Sequence, residues 1–333
     1  MAETQLHHRH IRHQGDDMKH TQLGTRITLP LLPALLLITN TAIAGPEIPT
    51  KFTYKGSIAN TRHNLTQRPP DNPNNLNGVF MDTVRNNYGE VCVYCHTPHG
   101  ANSQINAPLW NRTLTQAGID GTYVTYDSLG TSTLTASVAQ PGVNSLTCLS
   151  CHDGTLGMDS IINMPGSGLY DVNQETSQND SFLNDWNNAS GTDATSHWGF
   201  GANNTECLSC HSNPGFPGAS DFSIAFIGTD LTNDHPIGVD VPTGRFGDDF
   251  FAPNGASSGA NWSLEYYDTN LNGRADKDEI RFYDTGSGAR VECASCHDPH
   301  GVSPDGNPAT EFNPTFLRIS NDASAVCLTC HDK

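Results

Sequence analysis

The sequence predicts a chain that is mostly loop, with short α-helices and few short strands, folded around covalently held groups instead of one large apolar core. Three observations predict it. All ten cysteines fall in five copies of one CxxCH motif. Charged residues are only 16% of the chain, against roughly 25% in ordinary soluble domains, and Asn, Ser, Thr and Gly, which favour turns, take their place. Turn formers also cluster between the motifs, in Arg68-Pro69-Pro70-Asp71-Asn72-Pro73-Asn74-Asn75, Pro165-Gly166-Ser167-Gly168, Asn213-Pro214-Gly215 and Pro253-Asn254-Gly255-Ala256-Ser257-Ser258-Gly259.

The five motifs are Cys92-Val93-Tyr94-Cys95-His96, Cys148-Leu149-Ser150-Cys151-His152, Cys207-Leu208-Ser209-Cys210-His211, Cys293-Ala294-Ser295-Cys296-His297 and Cys327-Leu328-Thr329-Cys330-His331. Two intervening residues put both sulfurs on one turn of backbone, where they reach the two vinyl groups on one edge of a porphyrin. The next residue then presents its imidazole to the iron. A lone CxxC serves equally as a redox dithiol or half a zinc site. Five repeats, each followed by histidine and with no cysteine to spare, point instead to five haem c groups, with His96, His152, His211, His297 and His331 as proximal ligands. Thioether bonds would then occupy every cysteine and leave no disulfide. The fold class expected is a haem-organised multihaem cytochrome c.

The motifs begin 56, 59, 86 and 34 residues apart, so no fixed solenoid repeat exists. Short helices are expected to carry them, with strands at Tyr123 to Tyr126 and Glu279 to Tyr283. Residues 1 to 44 read as an N-terminal extension and signal peptide. Lys19, His20 and Arg26 form a basic head, Ile27 to Ile38 an apolar stretch, and cleavage is expected after Ala44, with Met18 as the alternative start. Pro30 and Pro33 interrupt a stretch already short for a membrane span, and none is expected in the mature chain. Residues 45 to 333 are then a single pentahaem domain with roughly 58 residues per haem, too few for a separate domain each.

Removing residues 1 to 44 takes away four basic and three acidic residues and moves the net charge from −18 to −19. So acidic a chain disfavours nucleic acid and anionic membranes and favours cationic or metal-bearing partners.

Beyond the motif histidines, the mature chain holds five more: His63, His99, His197, His235 and His300. Ten imidazoles for five irons is the stoichiometry of complete bis-histidine ligation, so these five are the distal candidates. His99 and His300 stand three residues beyond a motif histidine, in Cys95-His96-Thr97-Pro98-His99 and Cys296-His297-Asp298-Pro299-His300. A link so short, stiffened by proline, does not pass round a porphyrin edge, so each is expected to ligate a neighbouring haem. Full axial occupancy leaves no catalytic residue to name, because haem enzymes need an open or displaceable sixth position.

One further pattern lies outside the motifs. Asp268-Thr269-Asn270-Leu271-Asn272-Gly273-Arg274-Ala275-Asp276-Lys277-Asp278-Glu279 matches a twelve-residue calcium loop. Asp268, Asn270, Asn272, Asp276 and Glu279 would offer side-chain oxygens, and Arg274 its carbonyl, to a structural Ca2+.

The text Arg281-Phe282-Tyr283-Asp284-Thr285-Gly286, Val291 through Gly301, Thr315-Phe316-Leu317-Arg318, His63-Asn64-Leu65 and Cys95-His96-Thr97-Pro98-His99-Gly100 resembles the extracellular multihaem cytochrome nanowires of metal-reducing bacteria, nearest the tetrahaem filament-forming type. The resemblance implies a head-to-tail homopolymer, secreted to the cell surface or beyond. It would pass electrons to other redox cytochromes, minerals or electrodes, with His63 able to ligate a haem of the next subunit. A fifth motif, here that of Cys207 with His197 nearby, departs from the type and leaves its ligand pairing open. The alternatives are a monomeric periplasmic electron shuttle and, from a different class, a multihaem reductase.

Overall fold

The computed structural model describes residues 58, 61–65, 90–130, 134, 136–163, 199–201, 206–215, 219, 221, 223–243, 246–284, 286, 288–303 and 312–332. The segment 1–44, with its expected cleavage after Ala44, and the candidate ligand His197 lie outside them. Among the described residues, no helix is long and apolar enough to cross a membrane.

Among the described residues, regular structure is short, and the α-helices are α1 (Gln116–Asp120), α2 (Val143–His152), α3 (Cys293–Cys296) and α4 (Ala325–Leu328). Single 3-10 turns cover Tyr126–Leu129, Cys207–Ser209, Ser223–Ala225, Pro314–Phe316 and Asp322–Ser324. Strands β1 (Val239–Asp240), β2 (Gly255–Ser258), β3 (Ser263–Tyr266), β4 (Arg281–Asp284) and β5 (Arg290–Val291) form one antiparallel sheet in the order β1-β5-β4-β3-β2. In its central register Leu264 faces Tyr283 and Glu265 faces Phe282. The strand expected at Glu279 to Tyr283 is β4, which begins two residues later and ends one later. Tyr123 to Tyr126 makes only an isolated bridge, Val124 to Asp230, before turning into 3-10 conformation.

Three small apolar clusters divide the interior, and each touches a CxxCH motif. Val93 and Tyr94, the two residues inside the first motif, pack with Ile161, Leu65 and Cys95. Leu149, inside the second, packs with Tyr123, Leu231, Leu146 and Ile237. The sheet buries Tyr267, Ile280, Phe282 and Val241 against Cys296 and Cys330, so it positions the fourth and fifth motifs.

Helices α2 and α3 are joined at their N-termini by one carboxylate. Glu292 is the N-cap of α3, where it exchanges a capping box with Ser295. Its carboxylate also accepts from the Gly142 N–H at 3.0 Å and from the Ser145 hydroxyl, while the Cys293 N–H donates to the same hydroxyl at 2.9 Å. Gly142, the N-cap of α2, is required by this approach: a Cβ there would stand 2.5 Å from Glu292 Oε1.

Candidate haem centres

Each motif closes as one helical turn. The histidine N–H donates to the carbonyl of the first cysteine at 2.8 Å for His96, 3.1 Å for His211, 3.1 Å for His297 and 3.0 Å for His331, and the second motif ends α2. Helices carry the second, fourth and part of the fifth motif, and a 3-10 turn the third. The expectation of a helix fails at the first motif, whose residues form consecutive turns only. Its place is held by tertiary bonds instead, as Asn111 donates to the Val93 carbonyl at 2.7 Å.

Beyond the turn, three motifs share one anchoring device. The chain leaving the motif forms an antiparallel bridge, His96 with Trp110, His297 with Leu317 and His331 with Phe250. In each, the N–H after the histidine donates to a carbonyl at 2.9 Å: Thr97 to Leu109, Asp298 to Phe316 and Asp332 to Asp249. The carbonyl of the second cysteine accepts in return from Asn111 at 2.9 Å, Arg318 at 2.7 Å and Phe251 at 2.9 Å. In the first and fourth motifs the accepting residue is left-handed despite carrying a side chain, Leu109 at φ 52° and Phe316 at φ 62°. Such backbone is costly and persists where its surroundings demand it. Here it turns the preceding carbonyls, Pro108 and Thr315, onto the motif imidazoles.

That orientation sets the chemistry of the rings. Nδ1 contacts a backbone carbonyl in His96 (Pro108, 2.8 Å), His152 (Ala225, 2.6 Å), His297 (Thr315, 2.7 Å), His63 (Pro299, 2.8 Å) and His235 (Pro236, 3.0 Å). A carbonyl only accepts, so Nδ1 carries the proton and the lone pair sits on Nε2, the state that ligates a metal. Burial lowers the pKa of His63 to about 4 and also lowers those of His96, His152 and His297, which keeps all four imidazoles neutral.

Two distal candidates stand opposite motif histidines. The ring centres of His96 and His300 are 6.3 Å apart with planes 9° from parallel, and those of His63 and His152 are 6.1 Å apart at 76°. Two imidazoles on opposite faces of one metal, with bonds of about 2 Å and ring centres about 1.1 Å behind each nitrogen, stand about 6 Å apart. Both separations match that spacing, with the His96 and His300 rings stacked and His63 edge-on to His152. His300, from the segment after the fourth motif, reaches the first motif. His63 meets His152 within its own chain, held by the Pro299 carbonyl and stacked on Phe316 at 4.3 Å. His99 and His235, both exposed, are not brought to a motif ring in this way, and His197 lies outside the described residues.

The cysteines suit thioethers better than thiolate ligation. All ten are free of disulfides. Burial pushes the thiols of Cys95 and Cys296 up to about 12 and those of Cys293 and Cys330 up to about 11, and raises Cys148 as well. A buried apolar setting of this kind opposes zinc thiolates and reactive dithiols alike. The thiols also show which motifs are neighbours: Cys95 lies near Cys151, Cys148 near Cys293, and Cys296 near Cys330, close enough for their ionisations to couple. The third motif joins the second through Phe200, whose ring centre is 5.8 Å from that of His152, and through Cys207 N–H to Gly199 and Leu208 N–H to Gly201.

Two buried arginines escaped the reading of the sequence. Arg112 donates to Ser150 Oγ at 3.3 Å and to the carbonyls of Ser150, Gly157 and Met158 at 2.8, 2.9 and 3.0 Å, tying the first-motif segment to the second motif. Arg318 donates to the carbonyls of Ala294 and Lys277 at 3.0 and 2.7 Å and pairs with Asp298 at 3.3 Å. In a chain with so few basic residues, an arginine beside an Asn or Leu was the available signal.

The expected calcium loop, residues 268–279, is held by hydrogen bonds within itself. Among the described residues, no three His, Cys, Asp or Glu side chains group as a metal site. Asp268 accepts from the Asn272 and Gly273 N–H groups at 3.0 and 2.8 Å, and Asp276 from Asn270 and Asn272 at 2.9 and 2.6 Å. Glu279 accepts from the Thr269 and Asp276 N–H groups at 2.7 and 3.0 Å. The carboxylates thus have donors of their own, Asn270 offers Asp276 its nitrogen, and the Arg274 position contributes its N–H to Asn272 at 2.8 Å.

Residues 287–333, which contain the fourth and fifth motifs, match the family described as the doubled CXXCH motif. No curated protein matches the chain. The matched motif indicates covalent haem c binding and a multihaem c-type cytochrome-like protein.

Proposed function

We propose that this chain is an electron-transfer protein holding five haem c groups, each capped by two histidines. The observation that carries the reading is the pair of opposed imidazoles, His96 with His300 and His63 with His152, at separations that fit one iron each. Bound haem c would supply a reversible one-electron centre. The chain's own part is to hold the rings: carbonyls fix the imidazole tautomers, the bridges fix their direction, and motif contacts order the sites first, second, fourth, fifth, with the third beside the second.

Two axial imidazoles leave no open iron position, which favours electron transfer over a reductase. The acidic surface and the sequence resemblance support an extracellular role, delivering electrons to external acceptors as a subunit of a head-to-tail filament. Placement of His63 against His152 supports an intrachain ligand, in contrast to the intersubunit role the resemblance implies. Assembly would then rest on other contacts, and a monomeric periplasmic shuttle is the second reading this placement favours.

The purified holoprotein tests the proposal. Pyridine haemochrome assay should give five haems per chain, and optical and EPR spectra should show only low-spin iron. A high-spin iron that binds nitrite or carbon monoxide would establish an open site and defeat the reading. Electron microscopy of shed material then separates filament from shuttle, discrete particles alone deciding for the latter.

A further inference from the structure

The fourth motif departs from the others in what holds the ligand beyond it. Five described imidazoles rest Nδ1 on neutral carbonyls, whereas Nδ1 of His300 donates to the Asp298 carboxylate, at 2.9 Å from Oδ1. The same oxygen accepts the His300 backbone N–H at 3.0 Å, so the carboxylate is fixed in place from two directions. Its other oxygen faces Arg318 Nη1 at 3.3 Å. In the equivalent places of the first motif stand Thr97, whose hydroxyl donates to the His99 carbonyl at 2.8 Å, and Asn111. Among the described residues, no carboxylate meets the histidine that follows that motif.

We infer that Asp298 is a positioning residue that lowers the reduction potential of the one iron ligated by His300. The inference rests on the bis-histidine reading above and deepens it. A carboxylate accepting from Nδ1 makes the imidazole a stronger donor through Nε2, and second-shell bonding of this kind tunes a metal's potential. More negative charge at the ligand favours the ferric state, so the electron is held less firmly there than at irons whose imidazoles lean on carbonyls. Arg318 draws on the same carboxylate and limits the effect. The pairing of His300 with His96 places the tuned centre at the first motif, although the tuning residue belongs to the fourth.

The test uses the full haem-loaded protein and its optical redox titration. Asp298→Asn keeps the shape and removes the charge, and should move one midpoint upward while the others stay. Asp298→Glu should return that midpoint toward the wild-type value. An unchanged set of midpoints in D298N, or a uniform shift of all of them, overturns the inference while leaving the ligation reading intact. Loss of a low-spin iron in D298N also overturns it, since Asp298 would then be needed for ligation itself. A high-spin iron already present in the wild type would instead strike the bis-histidine reading.

Discussion

The segments following the first and fourth motifs are nearly the same words, Cys95-His96-Thr97-Pro98-His99-Gly100 and Cys296-His297-Asp298-Pro299-His300-Gly301, yet the fold uses them differently. Both leave the motif through the same bridge, with Leu109 and Phe316 in the same left-handed conformation. After that they diverge. In the first, His99 is exposed, and its carbonyl is taken by Thr97 and Asn163. In the second, the tail is a hub: His300 faces His96 of the first motif, Pro299 orients His63 toward the second, and Asp298 binds Arg318 beside the fourth. Equal spacing therefore does not bring equal contacts. A one-residue change, Thr to Asp, together with a buried arginine in place of Asn111, turns a simple tail into the joint between three motifs.

The largest effect that sharpens this contrast is on iron ligation. His300→Ala should convert one low-spin iron, that of the first motif, to high spin, whereas His99→Ala should leave the His96–His300 pair untouched. EPR of both holoproteins checks it, and an identical loss from the same centre in both would erase the distinction. Stability comes next. Arg318→Ala leaves the Asp298 carboxylate without its arginine, held by the His300 donors alone, and should cost about 3–5 kcal/mol. Arg112→Ala abandons only neutral acceptors at the second motif and should cost about 2–4 kcal/mol. Thermal melting of the two variants ranks them, and a reversed order would mean that the ion pair contributes nothing special.

A smaller effect concerns the clamp between α2 and α3. Burial raises the pKa of Glu292, partly offset by its bonds to Ser145 and Gly142. A carboxyl whose folded value is raised contributes its stability at low pH and loses it as pH rises through the raised value. The stability of wild type minus that of Glu292→Gln should accordingly fall with rising pH above the ordinary carboxylate range. A flat difference across pH 4 to 7, measured by denaturant titration, would place Glu292 at an ordinary value, about where free glutamate titrates. The smallest effect is expected at residues 268–279. A structural Ca2+ held by Asp268, Asp276 and Glu279 should make the melting temperature fall by a few degrees on adding EDTA, and an unchanged melting temperature would remove the cation.

Covalent chemistry was legible in the sequence because it depends on local spacing alone. CxxCH places two sulfurs and an imidazole within one turn wherever it folds, and the five motif turns close alike. The calcium pattern is local in spacing too, but the direction its carboxylates face depends on how the loop between β3 and β4 is drawn into the sheet.

What the sequence by itself determined is the inventory: ten thiols in five motifs, ten imidazoles in residues 45 to 333, and a composition too poor in charge and too rich in turn formers for long helices. Only the tertiary structure decided the partners. His63 and His152 are 89 positions apart and His96 and His300 are 204 apart. Nothing in the local chain links either pair, since distal ligation is a long-range contact governed by how separate segments pack. The same holds for Arg112 and Arg318, whose burial follows from the carbonyls that motif turns leave pointing inward and that only a donor brought from elsewhere in the chain can satisfy.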